Sequence, residues 1–412
     1  MKKILFILLL FALVVTACSP AENSTEDQLD VLISEWEEIE NEAEGQTVNL
    51  YMWGGSSAIN RYLDEWAAPR LKEEADITLN RIPMNDTKDI INQLLNEKQV
   101  NKKIGSMDVI WLNGENFKLS KENELLLGAF AEKLPNVEKY VNYQSPEINT
   151  DFGERVNGLE APWGISQFVF VYDSDKVKKP PQSMSELKTW VKENPGKFTY
   201  PAPPDFTGSA FTRMALYELT GGYDQYSQPL EDENQFIKSS ASVWEYLNDI
   251  EPYLWRKGQT YPESLAKADQ LYSNGEIWMT MGYDPAKAAT EIQKGTFPET
   301  TKTSLFTGGT LSNTHYLSIP YNAPNKAGAM RVINFLLSPE AQITKQDPDY
   351  WGDIMALHPE KLSDKQRESV NSLFDGDSIL PVETLAGNRL PELSAQYVEA
   401  VEKGWMEHVA KE

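Results

Sequence analysis

Three apolar runs, each followed by a stretch of helical periodicity, constrain this chain more than any other feature. Residues 47–53 (TVNLYMW) have strand character and run into Gly54-Gly55. Residues 57–75 place Ile59, Leu63, Trp66 and Leu71 on one helical side, with Pro69 as a kink point. A second strand is expected over 77–82 and a helix from Thr87, with Ile90, Ile91, Leu94 and Leu95 as its stripe. Residues 107–112 (MDVIWL) are almost continuously apolar, as in a strand covered on both faces. Strands that alternate with helices fold into a mostly parallel sheet flanked by helices. Further along, strands are expected over 168–172, 275–282 and 314–319. Helices are expected after Ser183, over 209–220, 239–251 and 327–337, and from Ser394 to Lys411. At 412 residues, two domains are more natural than one.

The start of the chain sets the compartment. Lys2 and Lys3 precede an apolar run from Ile4 to Val15, then Thr16-Ala17-Cys18. A basic start, a short apolar core and small residues at the cut describe a secretory leader over 1–17, too short to span a bilayer comfortably. Cys18 is the only cysteine and sits at the cleavage point, which resembles the lipobox of bacterial lipoproteins. The resemblance implies a lipid on Cys18. The segment 18–46 then forms an acidic tether with ten acids and no Lys or Arg, containing a short amphipathic helix over 27–44.

Composition excludes several functions. A net charge of -24 repels polyanions, which argues against nucleic acid and against docking on anionic lipid. One cysteine precludes intrachain disulfides, and three scattered histidines make a metal site improbable. Gly-rich phosphate loops, a G-x-S-x-G elbow and H-E-x-x-H are all missing. Ser185-x-x-Lys188 lies inside a capped helix and reads as surface. No cofactor and no catalytic residue is expected.

Tryptophans carry the site reading. Trp53 ends the first strand beside Gly54-Gly55, and Trp111 ends the third beside Asn113-Gly114-Glu115-Asn116. In open α/β sheets ligands bind outside the carboxyl ends of strands. Exposed indoles offer flat apolar platforms there, although either tryptophan also suits a sheet-capping core position.

Residues 105–117 (GSMDVIWLNGENF) resemble the YnjB-type solute-binding proteins of bacterial ABC importers, a family distantly similar to iron- and thiamine-binding components. YMWGGSSAINRYLDEW at 51–66, APWGISQFVFVYDSDKV at 161–177, FTYPAPPDFTGSAF at 198–211, GEIWMTMGYDPAKA at 275–288 and the return segment 312–342 extend the likeness over nearly the whole body. It implies an α/β, two-lobed periplasmic-binding-protein-like fold of type II, each lobe a mostly parallel sheet flanked by helices. A ligand cleft lies at the hinge. Lobe 1 would be 47–162 plus 310–345, and lobe 2 would be 163–309 plus 346–412. Pro162, Gly164, Gly308 and Gly309 are the expected hinge positions.

On that template the ligand contacts are Trp53, Gly54, Gly55, Trp111, Asn113, Glu115 and Asn116 from lobe 1. Lobe 2 contributes Trp163, Asp205, Thr207, Gly208, Ser209, Tyr283 and Asp284. Aromatic faces beside carboxylates suit a small cationic solute, thiamine- or amine-like, carried unaltered to a permease and its ATPase. A monomer is expected. The alternatives are a secreted carbohydrate-binding protein or glycosidase-like enzyme, which needs two carboxylates about 5–10 Å apart, and a lipoprotein with no part in transport.

Overall fold

The computed structural model describes residues 29–54, 57–84, 87–373 and 378–410. The expected leader, Cys18 and Gly55 lie outside the described residues.

Twelve strands are present among them: β1 (Thr47–Trp53), β2 (Thr78–Met84), β3 (Val109–Leu112), β4 (Thr150–Asp151), β5 (Glu154–Arg155), β6 (Glu160–Gln167), β7 (Val169–Asp173), β8 (Met279–Gly282), β9 (Thr301–Ser304), β10 (Thr310–Ser318), β11 (Ile354–Met355) and β12 (Arg389–Leu390). One sheet has the order β11-β6-β10-β3-β1-β2, with β12 also paired to β10; a smaller sheet has the order β8-β7-β9. Parallel pairing holds for β2-β1-β3, as the alternating pattern requires. Elsewhere the sheets are mixed, because β10 returns antiparallel to both β3 and β6, and β7 is antiparallel to β8 and β9.

Two adjacent connections join the sheets. Phe168 alone separates β6 from β7, and residues 305–309 link β9 to β10. The Phe168 amide donates to the Leu311 carbonyl at 2.7 Å, so the connections lie side by side, a hinge arrangement. Of the expected hinge positions, Gly308 and Gly309 fall in the second connection. Pro162 and Gly164 instead sit within β6, opposite Tyr316 and His315.

The lobe limits shift accordingly. Trp163, expected to open the second lobe, belongs to the larger sheet. Part of the segment expected to return to the second lobe stays with the first: β11 pairs with β6, the His358 amide donates to the Tyr140 carbonyl at 2.8 Å, and Lys361 Nζ donates to the Val141 carbonyl at 2.6 Å. The end of the chain crosses over, where helix Ala395–His408 buries Tyr397, Ala400, Val401 and Trp405 in the second core.

The acidic segment is a docked part of the first lobe from Leu29 onward. A turn leads into helix Trp36–Ala43, which buries Ile39 and Ala43. Lys133 Nζ donates to the Leu32 and Ser34 carbonyls at 3.1 and 3.0 Å, and Arg331 pairs with Glu40 at 2.8 Å. The expected helix over 57–75 is continuous but widens into a π-helical stretch, Tyr62–Ala67, just before Pro69. That widening accommodates a residue without an amide hydrogen.

Candidate functional site

In the first lobe the parallel strands β1 and β3 end side by side. Trp53 is 47% exposed. Behind it Gly54 is required, since a Cβ there would stand 2.5 Å from that of Pro83. Trp111 is half-buried and packs with Trp163 (centroids 5.5 Å apart, 84° between planes) and Trp351 (5.7 Å, 63°). Trp163 and Trp351 meet at 4.9 Å and 75°. Rings this close fill one another's edges and faces, so no slot is left between them. The three indoles form one packed cluster. Trp163, expected as a ligand contact from the second lobe, is therefore buried packing in the first.

Beneath these rings lies a charged cluster. His315 Nε2 is 2.9 Å from Asp353 Oδ2, and the buried Lys345 ammonium donates to the same oxygen. Gly164 on β6 makes the cluster possible: a Cβ there would fall 1.9 Å from Asp353 Oδ2 and 2.3 Å from His315 Nε2. Burial pushes the Asp353 carboxyl up, but His315 and Lys345 outweigh it and hold the group below the usual carboxylate range. Burial depresses Lys345 despite the attraction of Asp353.

The second lobe contributes the start of helix Phe206–Thr220. Asp205 caps it, with Oδ1 accepting from the Thr207 and Gly208 amides at 3.0 Å and Oδ2 accepting from the Leu265 amide at 3.0 Å. Both its oxygens are thus used by the fold. Thr207 and Ser209 are buried; Ser209 Oγ lies between Glu402 and Arg213. Gly208 is packing as well, since a Cβ there would stand 2.0 Å from the Pro201 carbonyl oxygen. These residues build the helix start and do not face the gap.

What the helix start does expose is Phe206, at 47%, lying 4.9 Å from the half-buried ring of Tyr283. Tyr283 donates to Glu392 Oε2 at 3.0 Å, and Glu392 holds Arg213 through two bonds of 2.8 and 2.9 Å. Burial opposes the Arg213 charge, yet Glu392 overcomes it and raises the pKa.

Asp284 follows Tyr283. Its side chain is open to solvent, with one acceptor contact, from the Ala286 amide at 2.8 Å. Surrounding protein strips part of its hydration and pushes it up to about 6, and repulsion from Asp353 adds to the effect against the pull of Lys287 and Lys294. Neighbouring Lys287 is engaged by Asp269 and by the Met281 carbonyl, both at 2.7 Å.

Asn113 is half-buried beyond β3, and Gly114 (φ 62°) leads into helix Glu115–Glu122. Glu115 and Asn116 line a cavity of about 480 Å³ opposite Gln396 and Glu399 of the C-terminal helix. They face that helix and not the tryptophans. The residues missed by sequence reasoning are Phe206, Arg213, His315, Lys345, Trp351, Asp353 and Glu392. Phe206 alone left a local signal, an aromatic directly after a helix cap. Among the described residues no group of three or more His, Cys, Asp or Glu side chains could hold a metal ion.

Two sheets are thus joined by two side-by-side connections, with Trp53, Trp111 and Phe206 at strand and helix ends. The chain belongs to the family of bacterial extracellular solute-binding proteins, whose model matches residues 66–351. It is 41% identical over 374 residues to Protein YnjB of Escherichia coli, covering 90% of this chain and 93% of that one. Its fold is similar to that of a spermidine/putrescine ABC transporter substrate-binding protein from Streptococcus pneumoniae (TM-score 0.63, 13% identity, 88% and 98% of the two chains covered). A cyclic alpha-maltosyl-1,6-maltose binding protein from Arthrobacter globiformis is also similar (TM-score 0.65, 12% identity, 88% and 94% covered). The chain is thus an extracellular solute-binding protein.

Proposed function

We propose that this protein, anchored to the membrane through a lipid on Cys18, captures a small cationic solute of amine or thiamine type between its lobes. It passes the solute unaltered to the permease. The observation that carries the reading is Asp284: a solvent-open carboxylate on the second lobe, bonded to no cation among the described residues, yet close enough to the first lobe to feel Asp353. A cation lodged there satisfies the carboxylate and meets the negative faces of Trp53, Trp111 and Trp351. The structural neighbour named for spermidine and putrescine agrees in chemistry. Ligand contacts to both lobes favour the closed arrangement by differential affinity. The leader and the lone cysteine support the anchor.

A thermal-shift panel tests the reading. Spermidine, putrescine or thiamine should raise the melting temperature by mass action, and Asp284→Asn should abolish the rise. Neutral sugars or anions that stabilise the protein while the cations do not would overturn it.

A further inference from the structure

We propose that Asp151 and Glu160 share one proton, and that this proton works as a pH-sensitive clasp on the Gly114 turn, where the two lobes touch. While the proton is held, Asp151 keeps the Gly114 amide. When it is lost, Asp151 swings toward the lobe boundary and lets the turn go.

The pair is buried and short of donors. Asp151 on β4 is 2% exposed, and Glu160 on β6 is fully buried. Asp151 Oδ2 accepts from the Gly114 amide at 2.5 Å. Asp151 Oδ1 and both carboxylate oxygens of Glu160 have no donor among the described residues. Were both groups ionised, these oxygens would lose their hydration with nothing in its place. One proton between the two carboxyls supplies a donor and halves the charge. Burial raises both groups well above the usual carboxylate range, and Asp151 raises Glu160 further.

The groups that face the pair are already engaged. Lys121 draws Glu160 down, yet its ammonium donates to Glu154 at 2.5 Å and to the Arg155 carbonyl at 2.6 Å. Tyr316 on β10 donates its hydroxyl to the Ile148 and Thr150 carbonyls, and Tyr143 donates to the backbone carbonyl of Glu160. Burial keeps both phenols neutral. On its outer side Asp151 borders a cavity of about 120 Å³, together with Glu115, Lys118 and Glu154.

That cavity lies between the lobes, with Tyr226 and Ser394 on its other side. The hairpin turn after Asp151 packs so closely there that a Cβ on Gly153 would stand 3.0 Å from that of Ser394, the residue that opens helix Ala395–His408. Gly114 (φ 62°) opens helix Glu115–Glu122 on the near side. A second ionisation places two like charges together without donors. The relief open to Asp151 is the cavity, where water and Lys118 can meet it, and the Gly114 amide then loses its acceptor.

The experiment compares wild type with Asp151→Asn and Glu160→Gln, isosteres whose amides donate in place of the proton. Infrared spectra at about pH 7 should show more protonated-carboxyl absorption in wild type than in either variant. Identical spectra overturn the proposal. Urea unfolding follows the same proton. A carboxyl raised in the folded state contributes stability that is complete below its ordinary range and is lost as pH rises toward the folded value. From about pH 5.5 to about pH 7.5 the wild-type unfolding constant should grow by up to about tenfold per pH unit relative to either variant. Parallel profiles overturn the proposal. Stabilisation of wild type alone by calcium or potassium would put a bound cation in place of the proton and likewise overturn it.

Hydrogen exchange reads the clasp itself. Corrected for intrinsic rates, the Gly114 amide should lose about tenfold in protection over that range in wild type and keep its protection in both variants. Protection that holds in wild type, or falls equally in all three, overturns the clasp.

Discussion

The first lobe meets the gap with tryptophans laid over a buried histidine–aspartate–lysine cluster, whereas the second meets it with Phe206 and Tyr283 braced by the Arg213–Glu392 pair. Both walls put aromatic rings over buried charge, and the charges differ in kind. Arg213 and Glu392 match one to one through two bonds, and Tyr283 and Ser209 take up further positions on them. Two bonds hold that pair in one arrangement, so the second wall is a fixed jaw. In the first wall a single carboxylate oxygen serves two bases, one of them a histidine. The first wall thus shares one acceptor oxygen between two nitrogens, whereas the second pairs its charges bond for bond.

The comparison breaks most visibly at the rigid side. Glu392→Gln strands the buried Arg213 guanidinium and should cost about 3–5 kcal/mol in urea unfolding, the usual penalty for one lost partner of a buried ion pair. A loss near zero would mean that the pair is solvated. On the first side, Gly164→Ala drives a methyl into the cluster. Overpacking of that kind costs about 1–3 kcal/mol in urea unfolding. A wild-type melt would contradict the close approach of Asp353 and His315 to Gly164.

Trp53→Ala sharpens the contrast, because the indole is exposed. Affinity for the stabilising solute should fall about tenfold, while stability stays within about 0.5 kcal/mol. The reverse pattern would make Trp53 packing. The smallest effect belongs to Asp284→Asn in the ligand-free protein. A carboxyl raised to about 6 contributes stability that is complete below its ordinary range and is lost as pH rises through about 6. The variant should therefore melt slightly above wild type at about pH 7.5 and together with it at about pH 4. A lower melt at the higher pH would give the shift the wrong sign.

Strand ends were the legible part of this site. Trp53, Trp111 and Asp284 sit at or just beyond the carboxyl ends of β1, β3 and β8, where apolar runs stop, and those runs were visible as β-character. β6 was not, because Pro162 and Gly164 interrupt it. The ladder accommodates the proline with a register shift between His315 and Tyr316, and Gly164 makes room for three side chains brought from elsewhere in the chain. Proline and glycine therefore suggested a hinge where the fold has a buried strand. Polarity misled in a similar way in the DFTGS stretch, whose cap and helix start are consumed by the second lobe's own packing. His315 and Asp353 are 38 residues apart, so only tertiary folding brings them together. Two-residue strands such as β11 and β12 leave no periodicity to read.

Native mass spectrometry of the purified protein with an equimolar mixture of amines, thiamine, sugars and organic anions is the most direct test of the central claim. The account predicts one added mass, that of an intact cationic compound, retained by wild type and absent from Asp284→Asn. An added mass belonging only to a neutral or anionic compound, or to a converted product, would contradict it.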